Sequence, residues 1–186
     1  MIRFVQQAAL VCGLWIAIGS PARAAPPTEY EVKAALLYNF SKFVEWPPGT
    51  FANPDDPIKV CIVGSSPLAA VFKEAVQGKS ANGRRFVVLE SAFHQQTLSC
   101  NIDFVSLDTD QLDALFRRVG GQPILTVGDD ASFATHGGMI GLTTQQNKVR
   151  FEVNMIATRR AGLKLSSQLL KVAVRVIGEL DLVPQP

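Results

Sequence analysis

The sequence predicts an α/β protein with a mostly parallel β-sheet, helices on both of its faces and an antiparallel hairpin near its C-terminal end. Three observations support this fold class. Short apolar strands alternate with helices from about residue 58 onward, which is the pattern of parallel sheets covered on both faces. Two strand-like segments near the C-terminus are separated by a polar turn, which indicates a hairpin. Without a predicted N-terminal leader of 24 residues, described below, the chain has a length that suits a single domain.

The first 24 residues are predicted to be a secretory signal peptide. Arg3 supplies the positive charge, residues 4–18 form an apolar core, and Ala22-Arg23-Ala24 is a typical cleavage site. The apolar run is shorter than the roughly 20 residues that a membrane span needs, and an uncleaved anchor is the alternative. Cleavage would leave residues 25–186 as one exported, soluble domain.

The charge balance argues against nucleic acid as a partner. The whole chain has 18 Lys and Arg against 16 Asp and Glu. Arg3 and Arg23 both fall in the predicted leader, so the mature chain would carry no net charge. A neutral chain has no overall basic field to attract nucleic acid.

Two cysteines would remain in the mature chain, because Cys12 lies in the leader. An even pair in an oxidising compartment predicts a structural disulfide between Cys61 and Cys100. Spacing alone does not show that two cysteines are close together, so two free buried thiols are the alternative.

The first element of the mature chain is predicted to be a helix over residues 29–46. Thr28 and Glu31 have the spacing of a capping box, and apolar residues follow at helical intervals. Pro47 and Pro48 end the helix. Trp46 lies off the apolar stripe, which leaves two interpretations: a core residue or an exposed binding anchor.

Strands and helices then alternate. The predicted strands are 58–63, 85–89, 102–107, 123–127, 139–144 and 149–153, and the predicted helices between them are 68–76, 111–119 and a short one opened by Asp129 and Asp130. In that short helix the two carboxylates would stabilise the N-terminus.

The last element is predicted to be one long helix over residues 154–178, with Gly162 as its weak point. Its wide apolar face, which includes Val172 and Val174, indicates burial against the sheet. The strip opposite holds four cations within about 60° of one another at 100° per residue. These are Arg160, Lys164, Lys171 and Arg175. The strip is either a solvated helix face or a patch for an acidic partner, an anionic ligand or a lipid surface.

No catalytic, cofactor or metal motif is present in the sequence. His94 and His136 lie on different segments, without further ligands at metal-binding spacing. Scattered Asp and Ser residues give a hydrolase little support. The sequence therefore predicts a non-enzymatic protein without cofactor or metal. The turns after Val63, Leu107 and Val127 would share one edge of the sheet, where α/β folds bind ligands, so a small-ligand sensor is an alternative function.

Two segments resemble the signatures of a known family. Residues 29–47, EYEVKAALLYNFSKFVEWP, are similar to the opening signature of the YfiR family. Residues 149–154, VRFEVN, and 159–170, RRAGLKLSSQLL, are similar to its closing signature. The Gly64 turn, the cysteine pair and residues 138–142 lie between them in the expected order. The resemblance covers essentially the whole mature chain.

The resemblance implies a periplasmic repressor with a three-layer α/β sandwich fold. Such proteins bind the periplasmic sensor domain of an inner-membrane diguanylate cyclase and hold it inactive, which lowers cyclic di-GMP and biofilm formation. An outer-membrane lipoprotein with a peptidoglycan-binding domain removes them from the cyclase. Some members are dimeric, so a homodimer is one assembly to test.

The resemblance also implies roles for individual residues. Cys61 and Cys100 match the family's structural cysteine pair, whereas residues 135–142 contain no cysteine that could form a second bridge. The closing signature lies near the surface that the family uses for its lipoprotein partner. The predicted partner-binding residues, which combine this signature with the cationic strip, are Glu152, Arg159, Arg160, Lys164, Lys171 and Arg175.

Overall fold

The computed structural model describes residues 25–91 and 100–178. The predicted leader, residues 1–24, lies outside the described residues. The helices are α1 (Glu29–Phe43), α2 (Leu68–Ala75), α3 (Thr109–Val119), α4 (Met155–Arg160) and α5 (Ser167–Val172). The strands are β1 (Val44–Glu45), β2 (Ile58–Gly64), β3 (Ser80–Ala81), β4 (Arg84–Ser91), β5 (Ile102–Ser106), β6 (Leu125–Gly128), β7 (Ile140–Gln145), β8 (Lys148–Asn154), β9 (Lys164–Leu165) and β10 (Arg175–Ile177).

The main sheet confirms the predicted fold class. Its strand order is β10-β8-β7-β6-β5-β2-β4-β3. The five strands from β7 to β4 are parallel neighbours, and β7 and β8 form the predicted antiparallel hairpin. The Gln146-Asn147 turn of this hairpin has positive φ at both residues, as a tight two-residue hairpin turn requires. A separate small sheet pairs β1 with β9.

Apolar side chains cover both faces of the sheet. On one face, α1 and α2 pack over the sheet in the larger core cluster, which includes Phe40, Phe72 and Phe104. On the other face, α3 and the turn that follows β6 pack over the strands through residues such as Leu115 and Phe133. This gives helix, sheet and helix layers, because neither face of a parallel sheet is left to water.

Helix α1 begins as predicted and ends earlier than predicted. The Thr28 hydroxyl accepts a hydrogen bond from the Glu31 amide, and the Glu31 carboxylate accepts one from the Thr28 amide, which completes the capping box. The predicted end at residue 46 is wrong, because Val44 and Glu45 leave the helix to form strand β1. Their antiparallel pairing with β9 supplies hydrogen bonds that the sequence around α1 does not reveal.

The predicted long helix over residues 154–178 is wrong. Gly162 has φ +70°, and this left-handed conformation ends α4. The chain then forms β9, the short helix α5 and the edge strand β10, which lies parallel to β8. The amide of Val174 donates to the Phe151 carbonyl at 2.9 Å and joins the chain to the sheet. Pairing with β8 therefore overrides a helical pattern in a segment rich in β-branched residues.

The short helix predicted after Asp129 and Asp130 is also wrong. Residues 131–137 form a series of hydrogen-bonded turns. The Asp130 carboxylate accepts hydrogen bonds from the amide and hydroxyl of Ser132, and these bonds lower the pKa of Asp130. Asp130 thus stabilises a turn, as an aspartate commonly does.

Among the described residues, no helix is both long enough and apolar enough to span a membrane.

Candidate partner-binding surface

Glu152 and Arg175 lie side by side on neighbouring strands. They are register partners on β8 and β10, and an Arg175 guanidinium nitrogen is 3.8 Å from a Glu152 carboxylate oxygen. The Arg175 side chain is 57% exposed, so this long ion pair contributes little stability. Both groups can therefore exchange this contact for one on a partner.

Arg159 connects α4 to the far end of β10. Its guanidinium donates a hydrogen bond to the Gly178 carbonyl at 2.6 Å. Helix α4 itself is fixed by Asn154, whose side-chain oxygen accepts from the amides of Ile156 and Ala157 and whose side-chain nitrogen donates to the Ala134 carbonyl. Asn154 is a preferred N-cap residue type, so this positioning role was visible in the sequence.

Arg160 and Lys164 lie on either side of the Gly162 turn. Lys164 is opposite Glu45 in the β1–β9 sheet, and Gly162 lies beside Pro47. The opening and closing sequence signatures therefore meet here, at a corner that we call the β1–β9 corner (Glu45, Pro47, Arg160, Lys164). Both cations are exposed. The spacing of these residues along the chain did not predict that the two signatures would be in contact.

The predicted cationic strip does not exist as one helix face. Arg160 ends α4, Lys164 is in β9, Lys171 is in α5 and Arg175 is in β10. All four are exposed, and within the described ranges only Arg175 forms an ion pair. Instead of one strip there are two groups, the β1–β9 corner and the Glu152–Arg175 pair. Lys171, on α5, lies between them in sequence.

Three exposed apolar side chains accompany β10, and the sequence analysis missed them. Val172 and Val174 precede its first residue and are 64% and 44% exposed. Ile156 is 50% exposed and covers Gly178, directly after the last residue of β10. The long-helix prediction had assigned both valines to the buried face. We call Ile156, Val172, Val174 and Arg175 the β10 edge.

The position of Trp46 agrees better with a core residue than with an exposed binding anchor. It is half-buried beside the larger core cluster, with its ring edge-on to Phe51 at 5.7 Å. Its indole nitrogen is buried and has no hydrogen-bond partner within the described residues.

Cys61 and Cys100 form a disulfide on the α3 face of the sheet. Their Cα atoms are 5.9 Å apart, and both residues are buried. Asp103 lies close to both sulfur atoms, and these three residues are the one cluster of metal-ligand types in the described part of the chain. Because both sulfurs are joined to each other, neither is available as a thiolate ligand.

The expected crevice at the carboxyl ends of the parallel strands is present, with a volume of about 1120 Å³. The turn at Gly64 forms part of its wall. Gly64 has φ +95°, and a Cβ there would collide with the Ser106 carbonyl oxygen, so only glycine fits. Four carboxylates line the crevice: Glu90, Asp108, Asp129 and Asp130. This charge disfavours phosphate and other anions.

A buried lysine connects α1 to this crevice. Lys33 is 6% exposed, and its ammonium is 2.7 Å from a Glu29 oxygen and 3.2 Å from an Asp129 oxygen. Burial by itself would lower the pKa of Lys33, but the hydrogen bonds and charges of Glu29 and Asp129 outweigh it, and the pKa is raised. Lys33 neutralises part of the acidic wall.

Comparisons with known proteins agree with this architecture. A family model described as YfiR/HmsC-like matches residues 30–174. The fold is similar to the crystal structure of a conserved domain protein from Vibrio cholerae O1 biovar eltor strain N16961, with a TM-score of 0.53 and 11% sequence identity. The match covers 80% of this chain and 60% of that one, so the chain spans about three fifths of the solved chain's length. At this identity the similarity shows the fold alone.

Proposed function

Because the chain belongs to the YfiR/HmsC-like family, which implies a non-catalytic periplasmic regulator of cyclic di-GMP signalling, we propose that it binds and represses the periplasmic sensor domain of an inner-membrane diguanylate cyclase. Repression lowers cyclic di-GMP and biofilm formation. An outer-membrane, peptidoglycan-binding lipoprotein releases the cyclase by sequestering the repressor.

The observation that carries this proposal is the exposure of both apolar and cationic side chains on the elements from α4 to β10. Exposed apolar groups flanked by polar and charged residues are typical of protein–protein interfaces. The β10 edge supplies the apolar groups, and Arg160, Lys164 and Lys171 supply charges without ion pairs in residues 25–91 and 100–178. Such a surface fits a partner that presents apolar side chains surrounded by carboxylates.

Glu152 gives the surface a second binding mode. Its carboxylate is mostly buried and faces Arg175, so a partner arginine could replace Arg175 at low cost. A cyclase and a lipoprotein that compete for the same repressor need overlapping contacts, and a Glu152–Arg175 pair that can be exchanged supports such an overlap.

The first experiment measures binding of residues 25–186 to the periplasmic domain of a diguanylate cyclase encoded beside this protein. We expect co-elution on gel filtration and saturable binding by calorimetry. The double variant Arg160→Glu, Lys164→Glu and the single variant Val172→Asp should each weaken binding about tenfold, or ~1.4 kcal/mol. All three positions are exposed, so the melting temperature should not change.

Lys148→Glu is the matched control, because Lys148 is an exposed lysine outside both defined surfaces. It should bind like the wild type. A wild-type protein that does not bind a folded cyclase domain contradicts the proposed repression. Wild-type affinity in both surface variants would remove the β10 edge and the β1–β9 corner from the interface.

The acidic crevice favours a second candidate function, in which the protein senses a small cationic ligand. A ligand would alter partner affinity only if it bound the free and complexed states differently. Spermidine or arginine at saturating concentration should raise the melting temperature by several degrees, and Asp108→Asn should reduce this rise. If neither compound stabilises the protein more than sodium chloride of equal ionic strength does, the sensor hypothesis is wrong.

A further inference from the structure

Among the described residues, no strand pairs with most of the outer side of β4, at the edge of the sheet opposite β10. The inner side of β4 pairs with β2 from Phe86 onward. Its outer side pairs with β3 only at Arg84 and Arg85, because β3 has two residues. Within residues 25–91 and 100–178, no strand covers the outer side of residues 86–90. Such an edge presents backbone N–H and C=O groups that can pair with another extended chain.

A groove runs beside this edge. It lies between the C-terminal half of α2 and β4 and has a volume of about 1020 Å³. Its apolar lining includes Val76, Phe86 and Val88. Phe86 contacts Phe72 edge to face and Tyr38 in a tilted arrangement, so the groove wall is anchored in the core. The Tyr38 hydroxyl donates to the Ser80 carbonyl and fixes β3 at one end of the groove.

The groove carries an excess of positive charge. Lys73, Lys79 and Arg85 line it and are exposed, against the single carboxylate of Glu74. None of the three cations forms an ion pair in the described part of the chain. Lys79 is held over the Tyr38 ring at 5.4 Å. Unpaired cations beside an apolar wall complement a segment that has both carboxylates and apolar side chains.

We propose that this groove binds an extended acidic segment of a partner protein, which adds a strand to the outer side of β4. Backbone hydrogen bonds to residues 86–90 would provide affinity, as in other cases of strand addition. Phe86 and Val88 face the same side of the sheet as α2, which carries Lys73. Alternate side chains point to opposite faces of a strand, so carboxylates on this side of an added strand can reach Lys73 and Lys79, while apolar groups on its other side contact the exposed Leu89.

This site is separate from the surface that binds the cyclase in the proposed function. Five strands lie between β4 and β10, so the two edges face away from each other, about 30 Å apart at the usual strand spacing. The inference does not rest on the proposed function, and both partners can bind at the same time.

The test uses three labelled eight-residue peptides and residues 25–186. The probe alternates glutamate and valine, the second peptide alternates lysine and valine, and the third is the glutamate peptide with every amide nitrogen methylated. We expect saturable binding of the first in fluorescence anisotropy. We expect at least tenfold weaker binding of the second, because its charge is wrong, and of the third, because it lacks the donors that a strand needs.

The double variant Lys73→Glu, Lys79→Glu should weaken binding of the glutamate peptide at least tenfold, whereas Lys148→Glu should leave it unchanged. Hydrogen exchange should show new protection of amides within residues 85–90. No binding of the glutamate peptide, equal binding of the lysine peptide, or protection confined to β10 would each overturn the proposal. So would self-association of the protein that buries β4, because a second copy would then be the occupant.

Discussion

Replacing both Cys61 and Cys100 with alanine should lower the free energy of unfolding by about 4 kcal/mol. The disulfide joins residues 39 apart in sequence. In the chain-entropy model, closing a loop of this length lowers the conformational entropy of the unfolded chain, which raises its free energy by about 4 kcal/mol. The loop contains α2, β3 and β4, so the bond also constrains the elements that form the groove between α2 and β4. A loss of this size corresponds to a fall in melting temperature of roughly 8–16 °C for a chain of this length.

Urea unfolding of the double alanine variant and of the wild type measures this difference directly. The double variant is preferable to Cys61→Ala alone, which leaves a free Cys100 thiol that can react. Wild-type protein treated with a reductant should unfold at a urea concentration close to that of the variant. Equal stability of wild type and variant, or two thiols titrated in the native protein, would show that the bond does not form.

Replacing Lys33 with methionine should cost about 2 kcal/mol at pH 7. Methionine keeps most of the packing but removes the charge that compensates Asp129, and breaking a buried ion pair is more costly than losing a surface one. The value is below the range for a fully buried pair, because the side chains of Asp129 and Glu29 are 20% and 51% exposed.

The effect of this substitution should depend on pH at the alkaline end. The pKa of Lys33 is raised in the folded protein, so the folded state holds the proton more tightly than the unfolded state does. The stabilisation is therefore complete below the unfolded pKa of about 10.4 and is lost as the pH rises through the folded pKa. The stability difference between wild type and Lys33→Met should be constant from pH 7 to about 9 and should shrink above about pH 10.5.

Lys42→Met is the control, because Lys42 is an exposed lysine of the same helix and forms no ion pair among the described residues. It should change the unfolding free energy by less than about 0.5 kcal/mol. If the Lys33→Met difference does not change between pH 7 and 11, the lost stability comes from packing and not from the ion pair.

The sequence by itself determined the parts of this protein that depend on local interactions. Thr28 and Glu31 satisfy each other within one helical turn, so the start of α1 could be placed from the sequence. The alternation of apolar strands and helices, and the turn at Gln146-Asn147, are also local signals, and they predicted the sheet and its hairpin correctly. The cysteine count, together with the predicted export, indicated a disulfide before any distance was known.

Only the tertiary structure decided the arrangement of the candidate surface. The segment after Gly162 has an apolar pattern that fits a helix. In the structure, however, Val176 and Ile177 pair with β8, and Leu165 pairs with β1. These pairings join residues far apart in sequence, and no local period reports them. As a result, the cations that were predicted to form one strip lie in two separate groups. Val172 and Val174, which were predicted to be buried, are exposed at the edge of the sheet. The burial of Lys33 was hidden for the same reason, because its partner Asp129 is 96 residues away.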